Sequence, residues 1–159
     1  MSEAGARVGP PETPELVEHL VRLLEIRVFD PLEILLESDE PVGPLRELVR
    51  VRARRWAAEL LGDDPRASMM VAIRLVGALY PGDTVFDPPV DWWRSPLGRV
   101  VAWQVGHPTA AAVPYPVAGA MLGMTRQGVH DLVTRHKLAR HPDGGVTTDS
   151  VRARLRGHR

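Results

Sequence analysis

Apolar residues recur at helical spacing along the first two thirds of the chain. The first run covers about 13–29, where Thr13 is the expected N-cap and Pro14 the first helical residue. Further runs of the same period predict helices over 32–36, 44–61, 66–80 and 96–105. Clusters of Pro, Gly and Asp separate them. The pattern therefore predicts a helical domain over residues 13–108, preceded by a disordered leader, residues 1–12.

The apolar positions of the third predicted helix are expected to share one side, which would pack on the core; they are Leu45, Leu48, Val49, Trp56 and Leu60. Its arginines would lie mostly on the other side, as a solvated face or, alternatively, as a second strip that contacts DNA. We interpret the four tryptophans as packing residues. An aromatic cage for a ligand is the alternative for Trp92 and Trp93, which lie in a Pro-rich stretch.

The chain changes character from residue 114 onward. Val117, Met121 and Leu122 predict the core face of a short helix that ends at Gly123, which can adopt a positive φ. Gly119 lies inside that helix, where glycine is costly unless two helices approach closely. Thr125 is a good N-cap for a second helix, whose inward positions would be Val129, Leu132 and Val133. This order predicts two short helices that cross at a tight turn.

The outer face of the second helix would carry Arg126, Gln127, His130 and Thr134. Arginine suits the N7 and O6 atoms of guanine, and glutamine suits adenine, when such side chains reach into the major groove. After this helix, residues 138–141 and 146–147 flank a Pro-Asp-Gly-Gly loop, which predicts a short β-hairpin. Arg140 and His141 lie on it, and a last helix would cover 151–156, with its arginines facing outward.

Residues 115–156 resemble a winged helix-turn-helix of the MerR/excisionase-like class. The likeness depends on Gly119 and Gly123, on Thr125-Arg126-Gln127, on Val129 and Leu132, and on the Gly-Gly-Val end of the hairpin before a capped helix. The resemblance implies a C-terminal winged helix-turn-helix at 114–156 with a small β-hairpin. Together with the helical N-terminal domain that the apolar spacing predicts, this gives a mainly α fold. It implies DNA binding by the following residues: Thr125, Arg126, Gln127, His130, Thr134, Arg135, Lys137, Arg140 and His141.

Within that set we expect two roles. Arg126, Gln127 and His130 would touch bases, whereas Thr125, Arg135, Lys137 and Arg140 would hold phosphates. The unit lies at the N-terminus in regulators of the MerR family, so that family's dimer and effector assignments do not transfer to this chain.

The charge of the chain is balanced in total but not along its length. Residues 1–45 carry ten acids and three bases, a net charge of −7, whereas residues 122–159 carry eight bases and three acids, a net charge of +5. A basic tail of this kind is typical of proteins that meet polyanions. The absence of cysteine excludes disulfides and thiolate metal sites, and predicts a cytoplasmic location. The DNA binding that the resemblance implies would make the protein nucleoid-associated.

We expect no cofactor, no metal site and no enzymatic activity, because no catalytic or nucleotide-binding motif is present. The predicted function is sequence-specific binding of double-stranded DNA by a bacterial transcriptional regulator. The alternatives are a protein-interaction adaptor and an architectural DNA-binding protein of a mobile element, in recombination or partition. One such small unit buries little surface, so we expect a homodimer or a cooperative array. The residues considered for self-association are Leu16, Leu20, Leu23, Leu24 and Leu36.

Overall fold

The structure, a computed structural model, describes residues 9–157. Most of the predicted leader, residues 1–8, lies outside this range, as does Arg159 of the predicted basic tail. The described chain is mainly helical with a two-stranded antiparallel sheet, so the predicted helical class is confirmed. It divides into two compact units, residues 11–83 and residues 84–157, the second including Gly9 and Pro10.

The helical unit begins with α1 (Thr13–Leu24), which continues through a π-helical segment (Glu25–Phe29) into α2 (Asp30–Leu36). Pro31 has no N–H with which to close an α-helical turn, and the π segment shifts the bonding so that the Asp30 amide donates to the carbonyl of Glu25. The first two predicted helices are therefore one continuous helix. Its N-cap is Glu12, not Thr13 as predicted, and no side chain caps it.

A 3₁₀ turn (Glu40–Val42) leads into α3 (Gly43–Leu60), and α4 (Pro65–Leu79) follows. Asp64 caps α4 because its carboxylate accepts hydrogen bonds from the amides of Arg66 and Ala67, at 3.0 and 3.3 Å. These helices lie where the apolar periodicity placed them, within one or two residues at each end.

The core of the helical unit is built from large residues on α1 and small residues on α3. Leu16 and Leu20 are fully buried, as are Ala53, Ala57 and Leu60. Alanines let two helices approach closely, so α3 packs through them and turns other residues to solvent. Two sequence predictions are corrected here. Leu45 and Leu48 are exposed instead of buried, and Leu16 and Leu20 are core residues instead of surface for self-association.

Arg46 ties the start of α3 to the continuous first helix. Its guanidinium bonds the Glu25 carboxylate at 2.8 and 3.0 Å and also pairs with Glu33. The hydrogen bond to Glu25, followed in size by the one to Glu33, raises the pKa of Arg46 above its already high ordinary value. The predicted solvated face of arginines on α3 therefore has one member with a structural role.

The second unit contains α5 (Pro96–Gln104), β1 (Ala112–Val113), α6 (Tyr115–Leu122), α7 (Arg126–Thr134), β2 (Val146–Thr147) and α8 (Thr148–Gly157). A 3₁₀ turn (Val90–Arg94) precedes α5 and packs against α6, and α5 packs against α8. The sequence analysis assigned this turn and α5 to the helical domain, 13–108. The compact units instead divide at 83/84, because α5 contacts helices that follow it in the chain.

The tryptophans of the 3₁₀ turn are packing residues, as interpreted from the sequence. Trp92 and Trp93 are buried and meet edge to face, with ring centroids 4.9 Å apart. His107 lies against Trp93 at 5.2 Å, and its Nδ1 accepts hydrogen bonds from the amides of Thr109 and Ala110, at 3.1 and 2.9 Å. Burial lowers the pKa of His107, against a smaller opposing effect of Asp87. Burial therefore favours the neutral form of the ring.

Acid is expected to destabilise the protein through His107. Because its folded pKa lies below the ordinary 6.5, the unfolded chain binds more protons, and this contribution to stability is lost as pH falls below 6.5. We expect His107→Asn, whose amide oxygen can accept the same hydrogen bonds, to show a flatter fall in unfolding free energy between pH 7.5 and 5.5. Denaturant titrations at both pH values measure this. Parallel profiles for the two proteins would contradict it.

Within residues 9–157, no helix combines the length and the apolarity that crossing a membrane requires.

Candidate nucleic-acid interface

The turn between α6 and α7 has the predicted geometry. Gly123 takes a left-handed conformation, with φ +67°, and the Met124 amide donates back to the carbonyl of Gly119 at 2.9 Å. Thr125 caps α7 because its Oγ1 accepts a hydrogen bond from the amide of Gly128 at 3.0 Å. A Cβ on Gly119 would lie 2.7 Å from the Met124 carbonyl oxygen. Gly119 is therefore needed for a close backbone approach, but the approach is to the turn at Met124 and Thr125 and not to α7 itself.

Substituting the two helical glycines here is expected to have opposite effects. Gly119→Ala forces the turn apart because backbone is in the way, and we expect a loss of about 1–2 kcal/mol of unfolding free energy. Gly128→Ala places its Cβ at 3.4 Å or more from its neighbours and removes a helix-weakening glycine, for a gain of up to about 0.5–1 kcal/mol. Thermal or denaturant unfolding compares them. Equal effects of the two substitutions would show that the turn is not tightly packed.

The two faces of α7 differ as the sequence predicted. Val129 is buried, and Leu132 and Val133 are half-buried. The outward residues are exposed, namely Arg126, Gln127, His130, Thr134 and Arg135. This leaves a polar, partly cationic ridge along the helix.

Several of the outward side chains also have bonds within α7. The Gln127 amide donates to the Asp131 carboxylate at 3.1 Å, and the Thr134 hydroxyl donates to the carbonyl of His130 at 3.0 Å. Thr125 uses its hydroxyl as the helix cap. To contact a base, Gln127 would therefore have to break its hydrogen bond to Asp131. Arg126 makes no such bond in the described structure.

The end of α7 positions the next cationic residue. His136 is left-handed, with φ +57°, and the amide of Lys137 donates to the carbonyl of Leu132 at 2.8 Å. The His136 amide donates to Val133 at 3.1 Å, which completes a Schellman motif. The chain therefore reverses sharply after Arg135 and leaves Lys137 exposed beside the helix end.

The predicted hairpin is present only in reduced form around the Pro-Asp-Gly-Gly loop, because residues 138–141 form no strand and meet β2 through a single β-bridge. Arg140 bridges Val146, the Thr147 amide donates to the carbonyl of Ala139 at 2.9 Å, and the His141 amide donates to Gly145 at 3.0 Å. Arg140 is exposed on it. His141 is half-buried, and its Nδ1 accepts from the Asp143 amide at 3.1 Å, so this ring serves the turn itself.

One strand was missed by the sequence analysis. β1 pairs antiparallel with β2, with Ala112 opposite Thr147 and Val113 opposite Val146. The small residues before position 114 indicated only a connection, and the pairing spans more than 30 residues of sequence. Gly145, with φ +76°, fits against this strand, because a Cβ there would lie 3.0 Å from the carbonyl carbon of Val113. β1 therefore anchors the base of the hairpin.

A cleft of about 660 Å³ runs between α7 and the hairpin. Its polar lining comes mainly from Tyr115, His130, Lys137 and Arg140, and none of the described residues that line it is acidic. The Tyr115 and His130 rings lie 6.3 Å apart between centroids and are tilted by 39°. The structure thus brings four of the predicted site residues together: His130, Thr134, Lys137 and Arg140. It adds Tyr115, a first-turn residue of α6 that no local pattern marked.

The arginines of α8 do not all face outward as predicted. The guanidinium of Arg156 lies 3.7 Å from the centre of the Trp103 ring and donates to the carbonyl of Trp103 at 2.9 Å and to Gln104 Oε1 at 2.6 Å. Arg156 therefore fastens α8 to α5. Cationic side chains that face solvent in this unit are concentrated instead on α7 and the hairpin.

Comparison with known proteins returned no match: no family model fits the chain, and neither a curated protein nor a solved structure resembles it significantly.

Proposed function

We propose that this chain is a bacterial transcriptional regulator that binds double-stranded DNA sequence-specifically through a winged helix-turn-helix at residues 114–156. The observation that carries the proposal is the cleft beside α7, which has cationic residues on two walls and no acid in its described lining. A cleft of this charge next to an exposed polar helix suits a phosphate backbone that borders a major groove.

The dimensions of α7 are compatible with this role. An α-helix with its side chains is about 10–12 Å across, and the major groove is about 12 Å wide. The α7 ridge would enter the groove at its N-terminal end, where Arg126 and Gln127 are exposed. His130 follows one turn later, on the wall of the cleft. These three residues are the proposed readers of base edges.

Phosphate contacts would come from the flanks of the ridge. Lys137 and Arg140 line the cleft, and Arg135 is exposed at the end of α7. Three such cations would give a slope of about −3 in log affinity against log salt for each bound copy. Thr125 lies at the N-terminus of α7, where the backbone amides of the first turn can bind a phosphate. His141 is a weaker candidate, because its ring already holds the hairpin turn.

The test is a fluorescence-anisotropy titration of the full chain against a pool of random duplexes at two salt concentrations, with sequencing of the bound fraction. An enriched motif together with steep salt dependence supports the proposal, and a two-part motif supports two bound copies. Salt-dependent binding without enrichment favours the architectural alternative. No binding at low salt favours the protein-interaction adaptor and overturns the DNA-binding proposal.

A further inference from the structure

A second cleft lies in the helical unit and is lined by the first helix and α3. Its residues come from within 15–29 and 46–54, and we call it the α1–α3 cleft. Its volume is about 830 Å³, which falls in the range of about 300–1,000 Å³ that is typical of small-molecule sites. All its lining residues belong to one compact unit, so the cleft is separate from α7 and the hairpin.

Part of the lining is apolar. Val17 and Val21 on α1 and Val49 on α3 are half-buried, and Phe29 of the π segment is buried. Contact with a hydrocarbon group would remove the remaining exposed part of these side chains from water, which is favourable. An inorganic ion could not make such contacts. The lining therefore favours a ligand with an apolar body.

Three arginines of α3 line the cleft at four-residue spacing, namely Arg46, Arg50 and Arg54. The charge of Arg46 is already balanced by Glu25 and Glu33. Arg50 and Arg54 are exposed and make no hydrogen bond or ion pair among residues 9–157. These two guanidinium groups are therefore available to an anion, and a guanidinium matches the two oxygens of a carboxylate.

The α1 side of the cleft does not cancel this charge. Arg22 and Glu18 line it, are exposed and make no side-chain bond in the part of the chain that the structure describes. Glu15 also lines it and interacts electrostatically with His19. Together with the two available arginines of α3, the free charges are three arginines against one glutamate. This excess favours an anionic ligand over a cationic one.

A buried polar atom of the lining has no partner. His19 lines the cleft from α1, and its Nε2 is buried without a hydrogen-bond partner within the described range. Burial lowers the pKa of His19, against a smaller opposing effect of Glu15. Buried polar atoms are nearly always hydrogen-bonded, and a histidine with a shifted pKa in a cleft is a candidate binding group. An oxygen atom of a ligand could accept a hydrogen bond from this nitrogen.

We propose that the α1–α3 cleft binds a small organic anion, a carboxylate with an apolar body. The carboxylate would pair with Arg50 and Arg54, His19 would donate to an oxygen of the ligand, and the valines and Phe29 would contact the apolar body. The inference does not rest on the proposed function, because the cleft is tested without DNA. Its failure would leave the DNA-binding proposal untouched.

The experiment is isothermal titration calorimetry of the full chain with three probes at one ionic strength: octanoate, acetate and octylammonium. We expect octanoate to bind at millimolar concentrations with one site per chain. Acetate should bind at least about ten-fold more weakly, because it lacks six methylene groups. Octylammonium has an alkyl chain of similar length with the opposite charge, and it should also bind more weakly. No binding of octanoate, or equal binding of octylammonium, overturns the proposal.

A pair of double variants tests the arginines. Arg50→Ala/Arg54→Ala should weaken octanoate binding about ten-fold. Arg52→Ala/Arg55→Ala is the matched control, because it removes the same charge from exposed positions of α3 that do not line the cleft. It should bind octanoate as the wild type does. Equal weakening by the two double variants would show a general attraction of charge and would overturn the site.

The histidine ring signals in the NMR spectrum report where the probe binds. Among the described histidines only His19 lines the α1–α3 cleft, whereas His130 lines the cleft beside α7. We expect octanoate to shift the His19 signals, which are identified by their loss in His19→Gln, and to leave those of His130 unchanged. A shift of His130 without a shift of His19 would place the probe beside α7 and overturn the proposal.

Discussion

Replacing Gly98 by alanine is expected to lower the unfolding free energy by about 3 kcal/mol or more. A Cβ at this position would collide with the carbonyl of Trp92 and lie 2.7 Å from the Cα of Trp93. Both obstacles are backbone atoms of the 3₁₀ turn, so no side-chain rotation relieves the clash. The turn would have to leave α5, and its two buried tryptophans would be exposed with it.

Gly77→Ala is the control for this prediction. Gly77 also lies within a helix, α4, but a Cβ there has open space around it, so we expect a gain of about 0.5–1 kcal/mol. Chemical denaturation followed by tryptophan fluorescence measures both variants. A native Gly98→Ala protein with wild-type stability and emission would contradict the packing of the aromatic turn on α5.

Replacing Arg126 by alanine is expected to remove the preference for one base pair of the DNA site, which costs about 1–3 kcal/mol at the preferred sequence. Arg126 is exposed at the start of α7 and makes no hydrogen bond or ion pair in the described structure, so its loss should leave the fold intact. Selection from random duplexes, repeated with the variant, should return the wild-type motif with that one position degenerate.

Arg140→Ala is the matched comparison, because Arg140 is also an exposed arginine but lies on the hairpin wall of the cleft. Its loss should weaken binding to all duplexes evenly, preserve the motif and reduce the salt slope by about 1. A uniform loss for Arg126→Ala would remove it from base readout. A changed motif for Arg140→Ala would show that the hairpin reads sequence.

The local elements of the helix-turn-helix were predictable because each depends on residues within about four positions of one another. The Thr125 cap bonds Gly128, and Gly123 ends α6 by its own backbone freedom. The same holds for the breaks at Asp64-Pro65 and Ser95-Pro96, where capping side chains meet a proline at the first helical position. The helical spacing of the apolar residues also predicted which residues of α7 face inward.

Burial within α3 could not be predicted in the same way. Leu45 and Leu48 fit an apolar stripe, yet the helix packs through Ala53 and Ala57. Hydrophobicity favours burying leucine over alanine, but the distance between the helix axes depends on residue size at the contact. The sequence alone does not show which helix faces meet, so the exposure of Leu45 and Leu48 appeared only in the structure.

The sequence and the tertiary structure each determine a different part of the candidate site. By itself the sequence determined that this end of the chain carries a polar, cationic surface. It predicted that α7 is capped and turns polar residues outward, that Arg140 follows on a hairpin, and that positive charge is in excess. Only the tertiary structure decided that Lys137, Arg140, His130 and Tyr115 line one cleft, that β1 anchors the hairpin, and that α5 belongs with this unit. The physical reason is the distance in sequence between the residues that interact. Caps and turns are stabilised by neighbours in sequence, whereas these arrangements depend on contacts between distant residues, whose free energies depend on the whole fold.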